Sequence, residues 1–328
     1  MMISVIYSLL SLWLVLFVCH GLELESDHAQ AILLPTNPEY TSHQYVPPWQ
    51  TSPKPGSLPK ALTEDIARIN NIDLWYATYG TPLEESLAKG LSPVVFLHGG
   101  FANSDYYANQ IKYLKDSPYT LIAIDSRAQG RSSDDLEKPI TYDLMTQDVI
   151  ALMDHLHIDR FSTVGWSDGS CISFNLAMNY TTRIDRVFAF GGTYSYKNIN
   201  ETVMDTPTFS KYMEWVRDDY KRLSPSHGSF DSFEERMLAM WSTEPVWSAE
   251  SFQKVTTLYS DPKNAPIIWI VAGDSEEAVT RSTPHELHSW IWGSSLVMLP
   301  SVSHFAMLQD PQTFNIMLER LLQIDRQS

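Results

Sequence analysis

The residue of this chain best placed to do chemistry is a serine with a glycine two positions before it and another two positions after it. Ser167 stands in the middle of GWSDGS, residues 165–170, directly after the apolar run 161–164. This spacing is typical of a nucleophile elbow, where a buried strand turns sharply into a helix and exposes the serine hydroxyl. Glycine at positions 165 and 169 avoids collisions across such a turn. We therefore predict that Ser167 is a catalytic nucleophile.

A serine hydroxyl becomes a useful nucleophile only beside a histidine base, which in turn needs a carboxylate to orient it. In an elbow-type enzyme the chain order is serine, acid, histidine. His304 follows residues 295–300, which read as a strand, and precedes a helix that we expect to begin near Asp310. We predict that His304 is the base.

The acid is expected on the loop after residues 266–272, a continuous apolar run typical of a strand buried on both faces. Three carboxylates follow it: Asp274, Glu276 and Glu277. Asp274 is the shorter side chain and the more usual residue type for this role. We interpret Glu277 as solvated, which leaves Asp274 and Glu276 as the candidates.

An oxyanion hole needs two backbone N–H groups aimed at one point. Asp168, the residue after the nucleophile, is expected to supply one of them. The second is expected from Gly100, in the HGGFAN segment (98–103) that follows the apolar run 93–97. We interpret His98 as a structural residue that holds this loop by hydrogen bonding.

Four segments together resemble the α/β-hydrolase-fold family of enzymes with a serine nucleophile: LHGG (97–100), DSRAQGRS (125–132), GWSDGS (165–170) and VSHF (302–305). The resemblance extends from Ile66 to Leu322. It implies a mostly parallel, doubly wound α/β sheet and an acid three residues after the glycine, which favours Glu276 slightly over Asp274. Glutamate at this position departs from the aspartate that is usual in the family. The HGG loop also lacks the Pro-Gly of proline-specific aminopeptidases of this fold.

The chain suits a single large α/β domain with an insertion, because strand and helix signals alternate along most of its 328 residues. We predict five segments, in chain order: a signal peptide (1–21), a proline-rich arm (22–60), the first part of the core (61–193), a helical cap (194–260) and the second part of the core (261–328). Strand signals disappear in the cap, which is rich in aromatic residues and methionine. Most of these side chains must form its own core, and we expect Trp241 and Met240 to reach the substrate.

Residues 1–21 contain no charged side chain and an apolar stretch from Leu9 to Val18, which predicts a secretory signal and hence an extracellular protein. An uncleaved membrane anchor is the alternative. Two sequons, at Asn179 and Asn200, agree with the secretory route and predict glycosylation.

The formal net charge of −16 argues against partners that are nucleic acids or anionic membranes. No phosphate-binding loop or dinucleotide fingerprint is present in the sequence, and we predict that the protein needs no cofactor and no metal.

These patterns predict a secreted serine hydrolase that cleaves an ester or related acyl bond of a small, largely apolar substrate. The same triad could serve an acyltransferase, a peptidase or a C–C hydrolase, because the elbow does not distinguish them. A non-catalytic protein that binds small molecules is the alternative from another class. The strained elbow argues against it, since a binding protein has no use for one.

Overall fold

The computed structural model describes residues 46–226, 228–261 and 263–325, which include the whole region predicted to form the core and cap (61–328) except positions 227, 262 and 326–328. The predicted signal peptide and most of the predicted arm lie outside the described residues. The described part of the arm contains a 3-10 turn, Pro48–Gln50, and lies against the end of the domain. There the Trp49 N–H donates to the carbonyl of Ser301 at 3.0 Å, and the Gln309 amide donates to the carbonyl of Thr51 at 3.0 Å.

An eight-stranded sheet organises the described residues, in the spatial order β1-β2-β4-β3-β5-β6-β7-β8. The strands are β1 (Thr63–Ile69), β2 (Ile72–Gly80), β3 (Val94–Leu97), β4 (Thr120–Ile124), β5 (Phe161–Trp166), β6 (Ile184–Phe190), β7 (Ile267–Gly273) and β8 (Ser295–Leu299). β2 pairs antiparallel with β1 and β4, and the pairs from β4 to β8 are all parallel. The mostly parallel α/β fold predicted from the sequence is confirmed.

Helices connect the strands, as parallel pairing requires. They are α1 (Leu83–Ala88), α2 (Ala108–Leu114), α3 (Tyr142–His155), α4 (Asp168–Asn179), α5 (Pro207–Leu223), α6 (Phe230–Trp241), α7 (Gln253–Leu258), α8 (Thr283–Trp290), α9 (Ala306–Gln309) and α10 (Pro311–Leu322). Every residue of β3, β4 and β5 is buried, which explains why these strands read as continuous apolar runs. The helix expected near Asp310 is α10, whose first turn is capped by the Asp310 carboxylate.

α5, α6 and α7 occupy the connection between β6 and β7. They form the helical segment that the aromatic-rich sequence predicts, and we call residues 194–260 the cap. Its aromatic side chains pack both on one another and on the core. The rings of Tyr220 and Phe233 stack with their centroids 5.2 Å apart, and Phe230 lies edge-on to both. Phe230 and Phe233 also contact the ring of Phe101, on the loop after β3. In open α/β sheets, ligands bind beyond the carboxyl ends of the strands. The residues predicted to do chemistry follow the carboxyl ends of β3, β5, β7 and β8.

Candidate active site

Ser167 occupies the turn between β5 and α4 in a conformation that few side chains adopt, with φ 55° and ψ −116°. Both neighbouring glycines are required by contact. A Cβ at Gly165 would lie 2.3 Å from the carbonyl oxygen of Gly169, and one at Gly169 would lie 1.8 Å from the carbonyl oxygen of Leu97 in β3. The two sides of the turn are therefore in close contact with each other, and the start of α4 is in close contact with β3. This strained turn places Ser167 at the edge of a pocket.

His304 lies on the loop after β8, and the structure pairs it with Glu276. Its Nδ1 is 2.8 Å from Glu276 Oε1, and both side chains are 2% exposed. The same carboxylate oxygen accepts the Ala278 N–H at 2.8 Å, which fixes the orientation of the acid. Asp274, the other candidate, is exposed and accepts a hydrogen bond from the hydroxyl of its neighbour Ser275. The loop after β7 thus brings Glu276, and not Asp274, to the imidazole.

The backbone of His304 is held next to the elbow. The indole N–H of Trp166, the last residue of β5, donates to the His304 carbonyl at 2.8 Å. Gly191, which has φ +67°, leaves room for the ring, since a Cβ there would lie 2.8 Å from His304 Cε1. Ser167 and His304 consequently line the same pocket.

The carboxylates around His304 favour its charged form. Burial alone lowers the pKa of the imidazole, but the charge and hydrogen bond of Glu276, together with the charges of Glu277 and Asp168, outweigh it. The net effect raises the pKa of His304 above its ordinary value of 6.5. A base that has just taken a proton is stabilised by such surroundings.

The two residues whose backbone N–H groups are expected to bind an oxyanion both line the pocket. Asp168 is the first residue of α4, and the first N–H groups of a helix have no acceptor within the helix. Gly100 lines the pocket beside Asp168. A Cβ at Gly100 would lie 2.6 Å from Asp168 Oδ2 and 2.2 Å from a ring carbon of Trp241. The hydroxyl of Tyr212 in α5 donates to the Gly100 carbonyl. A side chain at position 100 would therefore disrupt the loop.

The Asp168 carboxylate joins the core to the cap. It accepts a hydrogen bond from the Tyr142 hydroxyl at 2.7 Å and from the Trp241 indole N–H at 3.0 Å. Burial raises the pKa of Asp168 to about 6, although both hydrogen bonds act in the opposite direction. The sequence left the role of this side chain open, and the structure shows it as the link between α3, α4 and α6.

His98 has the structural role that the sequence indicated. Its Nδ1 donates to the carbonyl of Gly99 at 2.8 Å, and its Nε2 accepts the Ser126 N–H at 3.0 Å. This donor and acceptor pattern requires the neutral ring. Burial, which lowers the pKa of His98, keeps the ring neutral.

A cavity of about 300 Å³ opens over Ser167 and His304, and its lining is mainly apolar. Residues 194–260 supply much of that lining, including Ile199, Val203, Met204, Phe209, Leu238 and Trp241. The acidic residues in its lining are Asp168 and Glu201. None of the lining residues in the described part of the chain is lysine or arginine.

The two predicted substrate contacts fall on different faces of α6. Trp241 lines the cavity, as expected. Met240 does not: it is 4% exposed and lies on the buried face with Phe233 and Met237. Residues 233, 237 and 240 recur at helical spacing and form the buried face of α6, whereas Trp241 lies on the neighbouring face, which lines the cavity.

Three contacts around the site were not visible in the sequence. The interpretation of Glu277 as solvated was wrong: its side chain is partly buried and accepts the His304 N–H at 2.9 Å. Tyr142 and Tyr212 contact the elbow and the Gly100 loop from α3 and α5. No local spacing signals such contacts, because they arise only when distant helices pack together.

The two sequons lie on the surface. Asn179 ends α4 and is exposed; Asn200 is also exposed, at the margin of the cavity. Within residues 46–226, 228–261 and 263–325, no helix is long and apolar enough to cross a membrane. The same residues contain no cluster of three His, Cys, Asp or Glu side chains arranged to hold a metal ion.

Comparison with known proteins supports the fold. The sequence profile of the alpha/beta hydrolase fold matches residues 92–311. The human serine hydrolase BPHL is 26% identical over 80% of this chain and 87% of its own length. The 3-oxoadipate enol-lactonase 2 of Acinetobacter baylyi is 23% identical over 81% of this chain and 98% of its own length. A shorter match, 29% identical, covers 36% of this chain and 42% of the protein RutD of a Caulobacter strain.

Among solved structures, a meta-cleavage product hydrolase from Pseudomonas fluorescens superposes with a TM-score of 0.61, at 17% identity, over 80% of this chain and 97% of its own. At that identity the likeness speaks for the fold. The profile match covers two thirds of the sequence and includes Ser167, Glu276 and His304. The chain therefore belongs to the alpha/beta hydrolase fold family, and it is a hydrolase of that family.

Proposed function

We propose that this protein is a serine hydrolase that cleaves an ester bond of a small, uncharged and largely apolar substrate through an acyl-enzyme. One observation carries the proposal. A buried Glu276–His304 pair lies beside an elbow serine inside an apolar cavity. Nucleophile, base, orienting acid and cavity are the elements that acyl transfer to a serine needs.

The residues take these roles in order. Ser167 Oγ attacks the substrate carbonyl while His304 takes the hydroxyl proton. The N–H groups of Gly100 and Asp168 stabilise the oxyanion, and Glu276 stabilises the imidazolium. The C–O bond to the leaving alcohol breaks as His304 donates its proton to that oxygen. Water then repeats the sequence on the acyl-enzyme, which releases the acid and restores Ser167.

The charge of the cavity supports a neutral substrate. Its lining holds two carboxylates, Asp168 and Glu201, and no lysine or arginine among its described lining residues. A substrate carboxylate would lose hydration in this cavity and find no cation there to compensate. Its volume of about 300 Å³ is at the small end of the range for small-molecule sites, about 300–1,000 Å³.

The test is hydrolysis of paired chromogenic esters. p-Nitrophenyl esters with straight acyl chains of increasing length would be compared with the p-nitrophenyl monoester of succinic acid, whose acyl group ends in a carboxylate. We expect turnover of the uncharged esters and a kcat/KM for the succinate ester lower by about tenfold or more than for the butyrate of equal chain length. Ser167→Ala should lower the turnover of both by about 10³-fold or more. Absence of turnover on every ester, with folded protein, would contradict ester hydrolysis.

Secretion through residues 1–21 and glycosylation at Asn179 and Asn200 stay predictions. Expression of the full chain in a secretory eukaryotic host would test both. The expected result is protein in the medium that begins after position 21 and loses mass on treatment with a glycosidase. Retention of the chain in the membrane fraction would instead support the anchor.

A further inference from the structure

A second carboxylate reaches the histidine through its backbone. Glu277 Oε2 accepts the His304 N–H at 2.9 Å, and Oε1 of the same side chain accepts the Thr208 hydroxyl at 2.8 Å. Thr208 is 7% exposed and lies in the first turn of α5. The carbonyl of Glu277 accepts the amide of Asn200, which lines the cavity, at 3.1 Å. One residue thus connects the base to two points of the cap.

The position of Glu277 disfavours the charge of its carboxylate. Burial and the neighbouring charge of Glu276 both raise the pKa of Glu277, which means that its ionised form is disfavoured there. A partly buried carboxylate is retained at low cost only where donors satisfy it, and here each oxygen has one. The charged groups that face His304 are Glu276, Glu277 and Asp168.

We propose that Glu277 is a positioning residue for His304 and couples the base to the cap through Thr208. This rests on the proposed function. Its carboxylate fixes the His304 backbone, so that the ring stays between Glu276 and Ser167, and its charge adds to the stabilisation of the imidazolium. Because the second oxygen is held by α5, a displacement of the cap changes the position of the base. The cap is then part of the catalytic apparatus as well as the wall of the cavity.

The experiment measures the rate at which a fluorophosphonate labels the protein, as a function of pH. In this reaction the Ser167 Oγ–P bond forms, the P–F bond breaks with loss of fluoride, and the hydroxyl proton passes to His304. The rate therefore requires neutral His304 and falls as pH drops through its pKa. It needs no knowledge of the natural substrate.

Three variants separate charge from hydrogen bonding. Glu277→Gln keeps an oxygen for the His304 N–H but removes the charge, so we expect the midpoint to move about half a pH unit lower. Glu277→Ala removes both bonds, and its plateau rate should fall about tenfold. Thr208→Val removes only the bond to the cap and should lower the plateau about two- to threefold. The Glu277→Ala/Thr208→Val double variant should show no further loss, because both changes break the same connection.

Glu235→Gln, an exposed carboxylate of α6, is the control and should behave as wild type. An unchanged midpoint in Glu277→Gln, or additive losses in the double variant, would overturn the proposal and leave a merely structural role. Failure of the wild type to be labelled at any pH would instead overturn the proposed function. The two failures are therefore distinguishable in one series.

Discussion

The loops at the carboxyl edge of the sheet and the helices of the cap build the same cavity in different ways. The edge loops contribute Ser167, Glu276 and His304, which are fixed by a strained backbone, by required glycines and by a buried hydrogen bond between the acid and the imidazole. The cap contributes aromatic and aliphatic side chains that pack on each other and on the core, and several of them line the cavity. The edge loops thus hold the predicted reacting groups, and the cap supplies much of the cavity wall around them.

Hydrogen bonds also join the two regions, and three of them are made by cap side chains to residues next to the predicted reacting groups. Trp241 donates to Asp168, Tyr212 donates to the Gly100 carbonyl, and Thr208 donates to Glu277. Asp168 and Gly100 are the residues expected to form the oxyanion hole, and Glu277 accepts the backbone N–H of His304. Changes in the edge loops should consequently abolish turnover, whereas changes in the cap should alter affinity and geometry. The predictions below test that division, beginning with the largest effect.

Removal of the nucleophile should have the largest effect. Ser167→Ala should lower kcat by about 10³-fold or more, since only substrate binding and the oxyanion hole remain. The protein should unfold at a temperature close to that of wild type, because alanine fits the same turn. Ester hydrolysis and thermal unfolding measure the two quantities. Wild-type turnover by this variant would place the chemistry elsewhere in the cavity.

Replacement of the acid Glu276 should have the second largest effect. Glu276→Gln leaves His304 without its orienting charge and should lower kcat by about 10²- to 10⁴-fold. Asp274→Asn is the matched change on the same loop, and its side chain is exposed. It should stay within about twofold of wild type. Equal losses in the two variants would contradict the geometry of the loop after β7.

A change in the cap should be milder and of another kind. Trp241→Phe removes the indole N–H that Asp168 accepts and enlarges the cavity beside Gly100. We expect KM to rise about three- to tenfold with a smaller decrease of kcat. Trp292→Phe, at a tryptophan that is 66% exposed, is the control and should leave both constants unchanged. A collapse of kcat with KM unchanged would show that the cap acts on the chemical step instead.

The pH dependence of kcat/KM should reflect the carboxylates around His304. The imidazole must be neutral to accept a proton, and its pKa is raised above 6.5. Activity should therefore be full at higher pH and fall with a midpoint above 6.5 as the solution is acidified. Glu276→Gln should move that midpoint to lower pH. A wild-type midpoint below 6.5 would mean that burial, and not the neighbouring charges, dominates.

The predictability of the two regions differs for a physical reason. Gly165, Ser167 and Gly169 are close in sequence, and the turn they form follows from local sterics, so the elbow could be read directly. The Gly100 loop follows a buried strand and His304 follows an edge strand, and both strands were recognisable from equally local runs of residues. The choice between Asp274 and Glu276 required the path of the loop after β7, because spacing alone allows either carboxylate.

In the cap, sequence showed the helices but not the way they pack. Met240 and Trp241 are adjacent in the chain, and their assignment depends on which stripe of α6 faces the cavity. Glu277 was interpreted as solvated because its partners, Thr208 and the His304 backbone, are distant in sequence. Tertiary contacts of this kind leave no local pattern.

The central claim is that the Glu276–His304 pair activates Ser167. Intact-mass measurement after fluorophosphonate treatment of the purified protein tests it most directly, with Ser167→Ala and His304→Ala treated in parallel. We expect one adduct on wild type and none on either variant in the same time. An adduct on Ser167→Ala, or none on folded wild type, would contradict it.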